Sequence, residues 1–141
     1  MNTEELKAIL PHREHMLLVD ESVLEGKYSN SKYTVRGGEF FLKGHFPGKP
    51  VVPGVILCEI MAQGSAILFA EGLEGKIPLY ASMDNVKFKR VVKPGDTVCT
   101  RSTIVMHRGP VFVVEANATV EGEMCCSGRL TFMLIDKEKA I

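Results

Sequence analysis

Glu59 stands where a carboxylate is expensive. From Val55 to Ala70, 12 of 16 residues are apolar, and the exceptions are Glu59, Gln63, Gly64 and Ser65. A carboxylate in such surroundings costs several kcal/mol unless it is paired or protonated. Gln63 lies four residues on, on the same helical face, where its amide can hold one carboxylate oxygen. A purely structural glutamate, satisfied by that hydrogen bond, is the competing reading. His45 sits in Gly44-His45-Phe46-Pro47-Gly48-Lys49-Pro50-Val51-Val52-Pro53-Gly54, with three prolines and three glycines in eleven residues. Few conformations are left to such a segment, so its side-chain directions are set in advance, with a cis bond or local strain among the outcomes. A lone loop histidine is more often exposed or capping, but this one feeds straight into the buried glutamate. At Pro53-Gly54 a helix starts, with unpaired N–H groups at its positive end and a glycine that lets a ligand approach the backbone. A base near neutral pH, a buried acid and a donor for a carbonyl oxygen gaining negative charge are therefore close together in the chain. Such a set suits proton removal next to a carbonyl, with loss or movement of a group one carbon further on.

These groups need elements to position them. A short helix is expected around Thr3–Leu10, stopped by Pro11, followed by strands over Met16–Leu24 and Tyr28–Arg36 with a turn at Glu25-Gly26. Residues 37–54 read as irregular and residues 55–70 as one helix, about 24 Å long. Apolar nearly all round, that helix must be buried on nearly all sides. After Pro78 the chain reads as strand and turn. In Val111–Val120, Phe112, Val114, Ala116, Ala118 and Val120 share one face and Val113, Glu115, Asn117 and Thr119 the other. Turn signals at 93–96, 108–110 and 121–123 make antiparallel pairing the expectation. An α+β fold results, one curved antiparallel sheet wrapped around one long buried helix, and leftover apolar positions point to a dimer.

Composition agrees with a single domain spanning residues 1–141. Hydrophobic residues make up 45% and charged residues 24%, which excludes intrinsic disorder. Lysine plus arginine (17) equals aspartate plus glutamate (17), so no global charge draws the chain to nucleic acid or membrane. The acidic start Met1-Asn2-Thr3-Glu4-Glu5 does not read as a secretory signal, and no membrane span is expected. Cys58, Cys99, Cys125 and Cys126 lack a C-x-x-C spacing and read as reduced structural thiols of a cytoplasmic protein.

The block from Gly44 through Gly54 to Glu59 and Gln63 closely resembles the signature of the bacterial β-hydroxyacyl-[acyl-carrier-protein] dehydratases of fatty acid synthesis. Leu10-Pro11-His12-Arg13 with Leu17-Leu18-Val19-Asp20 resembles that family's opening segment, and Phe88-Lys89-Arg90-Val91-Val92-Lys93-Pro94-Gly95-Asp96 its later strand and turn. The resemblance implies a hot-dog fold and a dimer, often in a trimer of dimers (a homohexamer), whose site combines His45 of one protomer with Glu59 of the other. It implies a (3R)-3-hydroxyacyl thioester on the phosphopantetheine arm of acyl carrier protein as substrate. His45 would take the C2 proton, Glu59 would help the 3-hydroxyl leave as water, and the Gly54 N–H would polarise the thioester carbonyl. The product would be the trans-2-enoyl thioester, and no metal or redox cofactor is required because elimination moves only protons. Phe46 and Val55 are the expected substrate contacts, with Gln63 in support.

Two places depart from the family's pattern, one of them a pair of residues. Glu14-His15 stand where it commonly has an aromatic-proline pair, and Gly38 where it usually shows asparagine. Glutamate at position 59 favours this branch over the related dehydratase-isomerase, which carries aspartate there. Lys87, Lys89, Arg90 and Lys93 form a basic cluster suited to an acidic carrier protein, against the plainer reading of a solvated strand face. His12 and His15 complete no metal-ligand spacing, and His107 is expected at an exposed hairpin end. A hot-dog thioesterase is the alternative enzyme, and a non-catalytic sensor of acyl thioesters the alternative from another class.

Overall fold

The computed structural model of the chain describes residues 1–13 and 15–139. Six antiparallel strands form one sheet: β1 (Glu21–Glu25), β2 (Tyr28–Thr34), β3 (Lys76–Phe88), β4 (Thr97–Arg108), β5 (Val111–Val120) and β6 (Glu123–Asp136). Their order is β1-β2-β4-β5-β6-β3, so β3 crosses over to pair with β6 and lies at one edge. Helix α1 (Thr3–Leu6) opens the chain, and α2 (Gly54–Ser65) lies in the hollow of the sheet, touching β2, β4, β5 and β6. The expected wrap of sheet around helix is what forms.

Side chains alternate as the two-residue period requires. Phe112, Val114, Ala116, Ala118 and Val120 of β5, with Leu130, Phe132 and Leu134 of β6, are buried in the core, while Glu115 stays out in solvent and Val113, expected on the outer face, is buried as well. The helix meets β2 and β4 at Gly64, where a Cβ would stand 2.4 Å from the Thr100 hydroxyl. The Ser29 and Ser31 hydroxyls donate to the Gly64 carbonyl, and beyond it the helix tightens into 3-10 turns over Ala66–Leu73. The expected helix over 55–70 is thus α-helical to Ser65 and 3-10 beyond, with non-helical backbone at Phe69. Gly54–Leu73, 20 residues, would be long and apolar enough to cross a membrane. Here it is the core helix.

Other boundaries move too, and the second strand ends at Thr34, not Arg36. The first helix ends at Leu6, four residues before the expected Leu10. The first strand starts at Glu21, not Met16, because the backbone of 16–18 bonds to a side chain on α2 in place of a strand neighbour. All four cysteines are free thiols.

Candidate active site

Glu59 is held by groups from three parts of the chain. Gln63, one helical turn on, donates from Nε2 to Glu59 Oε2 at 2.8 Å, as the i,i+4 spacing predicts. The same nitrogen donates to Met16 O at 2.7 Å, and Gln63 Oε1 accepts from Leu18 N at 2.7 Å. Gln63 therefore latches the segment before β1 onto α2, and its burial is compensated at every polar atom named. His12 Nε2 lies 3.2 Å from Glu59 Oε2, and the Tyr80 hydroxyl of β3 donates to Cys58 O at 3.2 Å beside the carboxylate. Burial pushes the Glu59 carboxyl upward, but the hydrogen bonds from His12, Gln63 and Tyr80 outweigh it and hold the group below the usual carboxylate value. Burial and the neighbouring Glu59 carboxylate push the Tyr80 phenol above its ordinary range. The sequence leaves open whether Glu59 is paired or protonated; in the single protomer it is paired, and its partners favour the charged form.

The His45 loop is fixed differently. Its entrance is tied by Glu39, which accepts from the Tyr33 hydroxyl at 2.6 Å and from the backbone N–H groups of Arg36 and Gly37. Within the loop, Val51 N donates to His45 O at 2.8 Å and Lys49 N to Phe46 O at 2.9 Å, and at its exit Val52 N reaches Val92 O at 2.8 Å. The His45–Phe46 peptide is cis, and the two rings stack with centroids 4.3 Å apart. His45 Nδ1 lies 3.1 Å from Val51 O. A carbonyl oxygen can only accept, so Nδ1 carries a proton, and the neutral ring then presents its lone pair at Nε2. That is the state a base requires.

Gly54 opens α2 behind Pro53, and among the described residues its N–H meets no protein acceptor. A Cβ here would sit 2.9 Å from the Phe88 ring, so glycine lets β3 pack against the helix start. Val55 and Phe46, the expected substrate contacts, are 70% and 57% exposed in one protomer. Within that protomer no hydrogen bond or ion pair joins His45 to Glu59. Lys87, Lys89 and Lys93 are exposed, whereas Arg90 is committed to Val120 O at 3.1 Å and to Glu123 at 3.5 Å. His107 stacks on Phe112 at the end of β4, exposed as expected. Of the two departures, Glu14 lies outside the described residues, and Gly38 sits beside Glu39 at the loop entrance.

His12 and Tyr80 are the partners sequence reasoning missed. His12 was weighed only as a metal ligand, although it follows a helix-stopping proline on a segment due to return over α2. Tyr80 carries no local signal, because only the crossover of β3 brings it to Glu59.

Residues 10–129 match the model of the FabA-like domain. The chain is 43% identical over 138 residues to a 3-hydroxyacyl-[acyl-carrier-protein] dehydratase FabZ of Lactococcus lactis subsp. cremoris, covering 95% of each chain. It is 44% identical over 138 residues to the enzyme of that name from Clostridium perfringens, covering 95% of this chain and 99% of the relative. Among solved structures, a dehydratase heterocomplex from Xenorhabdus doucetiae superposes with a TM-score of 0.81 at 16% identity, over 96% of this chain and 93% of the other, a likeness of hot-dog fold alone. With the sheet, the buried glutamate and the oriented histidine in place, the chain belongs to the FabA-like family, in its 3-hydroxyacyl-[acyl-carrier-protein] dehydratase branch.

Proposed function

We propose that this chain removes water from (3R)-3-hydroxyacyl thioesters of acyl carrier protein, giving trans-2-enoyl thioesters in fatty acid synthesis. The observation that carries the reading is the hydrogen bond from His45 Nδ1 to Val51 O, which leaves Nε2 as a base. His45 Nε2 takes the C2 proton, and the electron pair of that C–H bond becomes the C2=C3 bond. The C3–O bond breaks, and the departing hydroxyl collects a proton from Glu59 and leaves as water. The Gly54 N–H steadies the negative charge that builds on the thioester oxygen. Closing the pocket with substrate adds to the burial that already pushes Glu59 upward, the direction proton donation requires. The proton on His45 then returns to Glu59 to reset the pair.

The site is read as shared between two copies, His45 of one protomer serving Glu59 of the other. Phe46, Val55, Phe88 and Val91 are all more than half exposed, and β3 leaves one edge unpaired with Leu79, Tyr80 and Met83 partly open. Apolar exposure next to an open strand edge calls for a partner, and a second copy supplies it; three such dimers give the hexamer form. Lys87, Lys89 and Lys93, beside Phe88 and Val91, are the cations that would meet the acidic carrier protein. The free thiols suit a cytoplasmic location, and the 141 residues are read as one hot-dog unit.

The test is a spectrophotometric assay with 3-hydroxyacyl carrier protein. The ultraviolet absorbance of a conjugated enoyl thioester should rise; release of free thiol would establish a thioesterase, and binding without turnover a sensor. His45→Ala and Glu59→Ala should each lower turnover about 10²–10⁴-fold, the usual worth of a positioned acid or base. Mixing the two inactive variants should restore activity through hybrid dimers. No recovery despite subunit exchange refutes a shared site.

A further inference from the structure

Resting on the dehydratase reading, we infer that Tyr80 is a positioning residue for Glu59, a phenol that steadies the carboxyl group both while it holds its proton and while it gives that proton up. Gln63 Nε2 and His12 Nε2 both address Oε2 of Glu59, at 2.8 and 3.2 Å. The Gln63 amide nitrogen can only donate, so it serves a charged oxygen and leaves no place for a proton on Oε2. The proton that Glu59 hands over therefore belongs on Oε1. An acid that loses and regains a proton in every cycle needs a neighbour in both states. A hydroxyl, donor and acceptor at once, is the group that suits.

Tyr80 brings one from the edge strand. It pairs with Phe132 of β6, and the register of β3 shifts between Tyr80 and Ser82, an irregularity of the kind that re-aims a side chain. Its ring lies 5.3 Å from that of the buried Phe132. Its hydroxyl stands 3.2 Å from Cys58 O, the carbonyl one residue before Glu59, and reaches the Glu59 carboxylate as well. With His12 and Gln63 it lines a cavity of about 30 Å³, the space of about one water molecule, so bulk solvent does not compete for the hydroxyl on that side. While Glu59 is protonated, the phenol donates to Cys58 O and accepts from the carboxyl O–H. As that proton passes to the departing hydroxyl, the phenol turns its own O–H to the carboxylate. Only the O–H bond rotates, and the new hydrogen bond, made to a charged group, is the stronger of the two. The gain thus falls on the transition state. Tyr80 acts through Glu59 and is not itself the acid, because burial and the carboxylate keep its own proton in place.

Tyr80→Phe removes one oxygen and keeps the ring. With 3-hydroxyacyl carrier protein at saturation it should lower kcat about tenfold, the worth of one ordinary hydrogen bond, and leave KM within about twofold. Infrared titration, read as the difference between each protein and its Glu59→Gln counterpart, follows the carboxyl group itself. Its midpoint should rise in Tyr80→Phe, with His12, the Cys58 thiol and, in the shared site, His45 left in place. A role in packing alone would not move that midpoint. Tyr80→Leu takes the place of phenylalanine if the latter does not fold. Turnover within about twofold of normal, or a lowered kcat with the midpoint unmoved, overturns the positioning role and leaves the dehydratase reading standing. No enoyl formation by the unchanged protein overturns that reading, and the infrared midpoint alone then decides whether the phenol holds Glu59.

Discussion

The two halves of the site are made rigid by opposite means. The His45 loop is exposed over most of its length and holds its shape through three prolines and short-range backbone bonds, so its stiffness is local. Glu59 sits on a regular helix, yet its carboxylate is placed by His12, Gln63 and Tyr80, from the opening segment, α2 and β3. A base can be aimed by a constrained loop because its working atom must face substrate. A buried carboxylate has to be satisfied on all sides, and one short segment cannot supply that many donors. Damage to the loop should therefore cost activity with little stability, and damage around Glu59 should cost both.

The largest effect on stability is expected at Gln63. Gln63→Ala strands Leu18 N in the interior and takes a donor from Met16 O and from Glu59 Oε2, which keeps His12, and should cost about 2–3 kcal/mol in urea unfolding. A loss under 0.5 kcal/mol would mean that water replaces the amide and that the latch is decorative. Pro50→Gly probes the other half. Freeing the loop should lower kcat about tenfold, close to 1.4 kcal/mol, while the unfolding midpoint barely moves. Equal losses of stability in the two variants would erase the contrast between local and tertiary rigidity.

The smallest effect concerns acid. Glu59 binds its proton less readily in the fold than unfolded, so the stability this adds is complete above the ordinary value of 4.5 and is lost as pH falls through the lower folded value. His12→Ala removes the strongest of the hydrogen bonds that lower it. Unfolding midpoints followed from about pH 7 to pH 3 should therefore fall less steeply in the variant than in the unchanged protein. A steeper fall would place the acid-sensitive group elsewhere.

Much of this was legible in the residues. Val111–Val120 forms the strand read from its alternation, and the reading of Gln63 as the holder of Glu59 rests on nothing more than i,i+4 geometry. The strand read over Met16–Leu24 starts only at Glu21, because its apolar pattern cannot reveal that Gln63 takes the backbone bonds of Met16 and Leu18. The long helix was placed correctly, but its change to 3-10 turns beyond Ser65, next to the Gly64 carbonyl that the β2 serine hydroxyls bond, is a feature of the fold alone.

By itself, then, the amino-acid order determined what neighbours in the chain can decide: a stiff histidine loop, an apolar helix with one carboxylate, and strands of period two, all set by backbone sterics and side-chain alternation over a few residues. Tertiary structure alone decided that His12 and Tyr80 reach Glu59 and that β3 ends at an edge beside β6. Those outcomes depend on contacts between residues far apart in the chain, and no local pattern encodes which distant partner will satisfy a buried group.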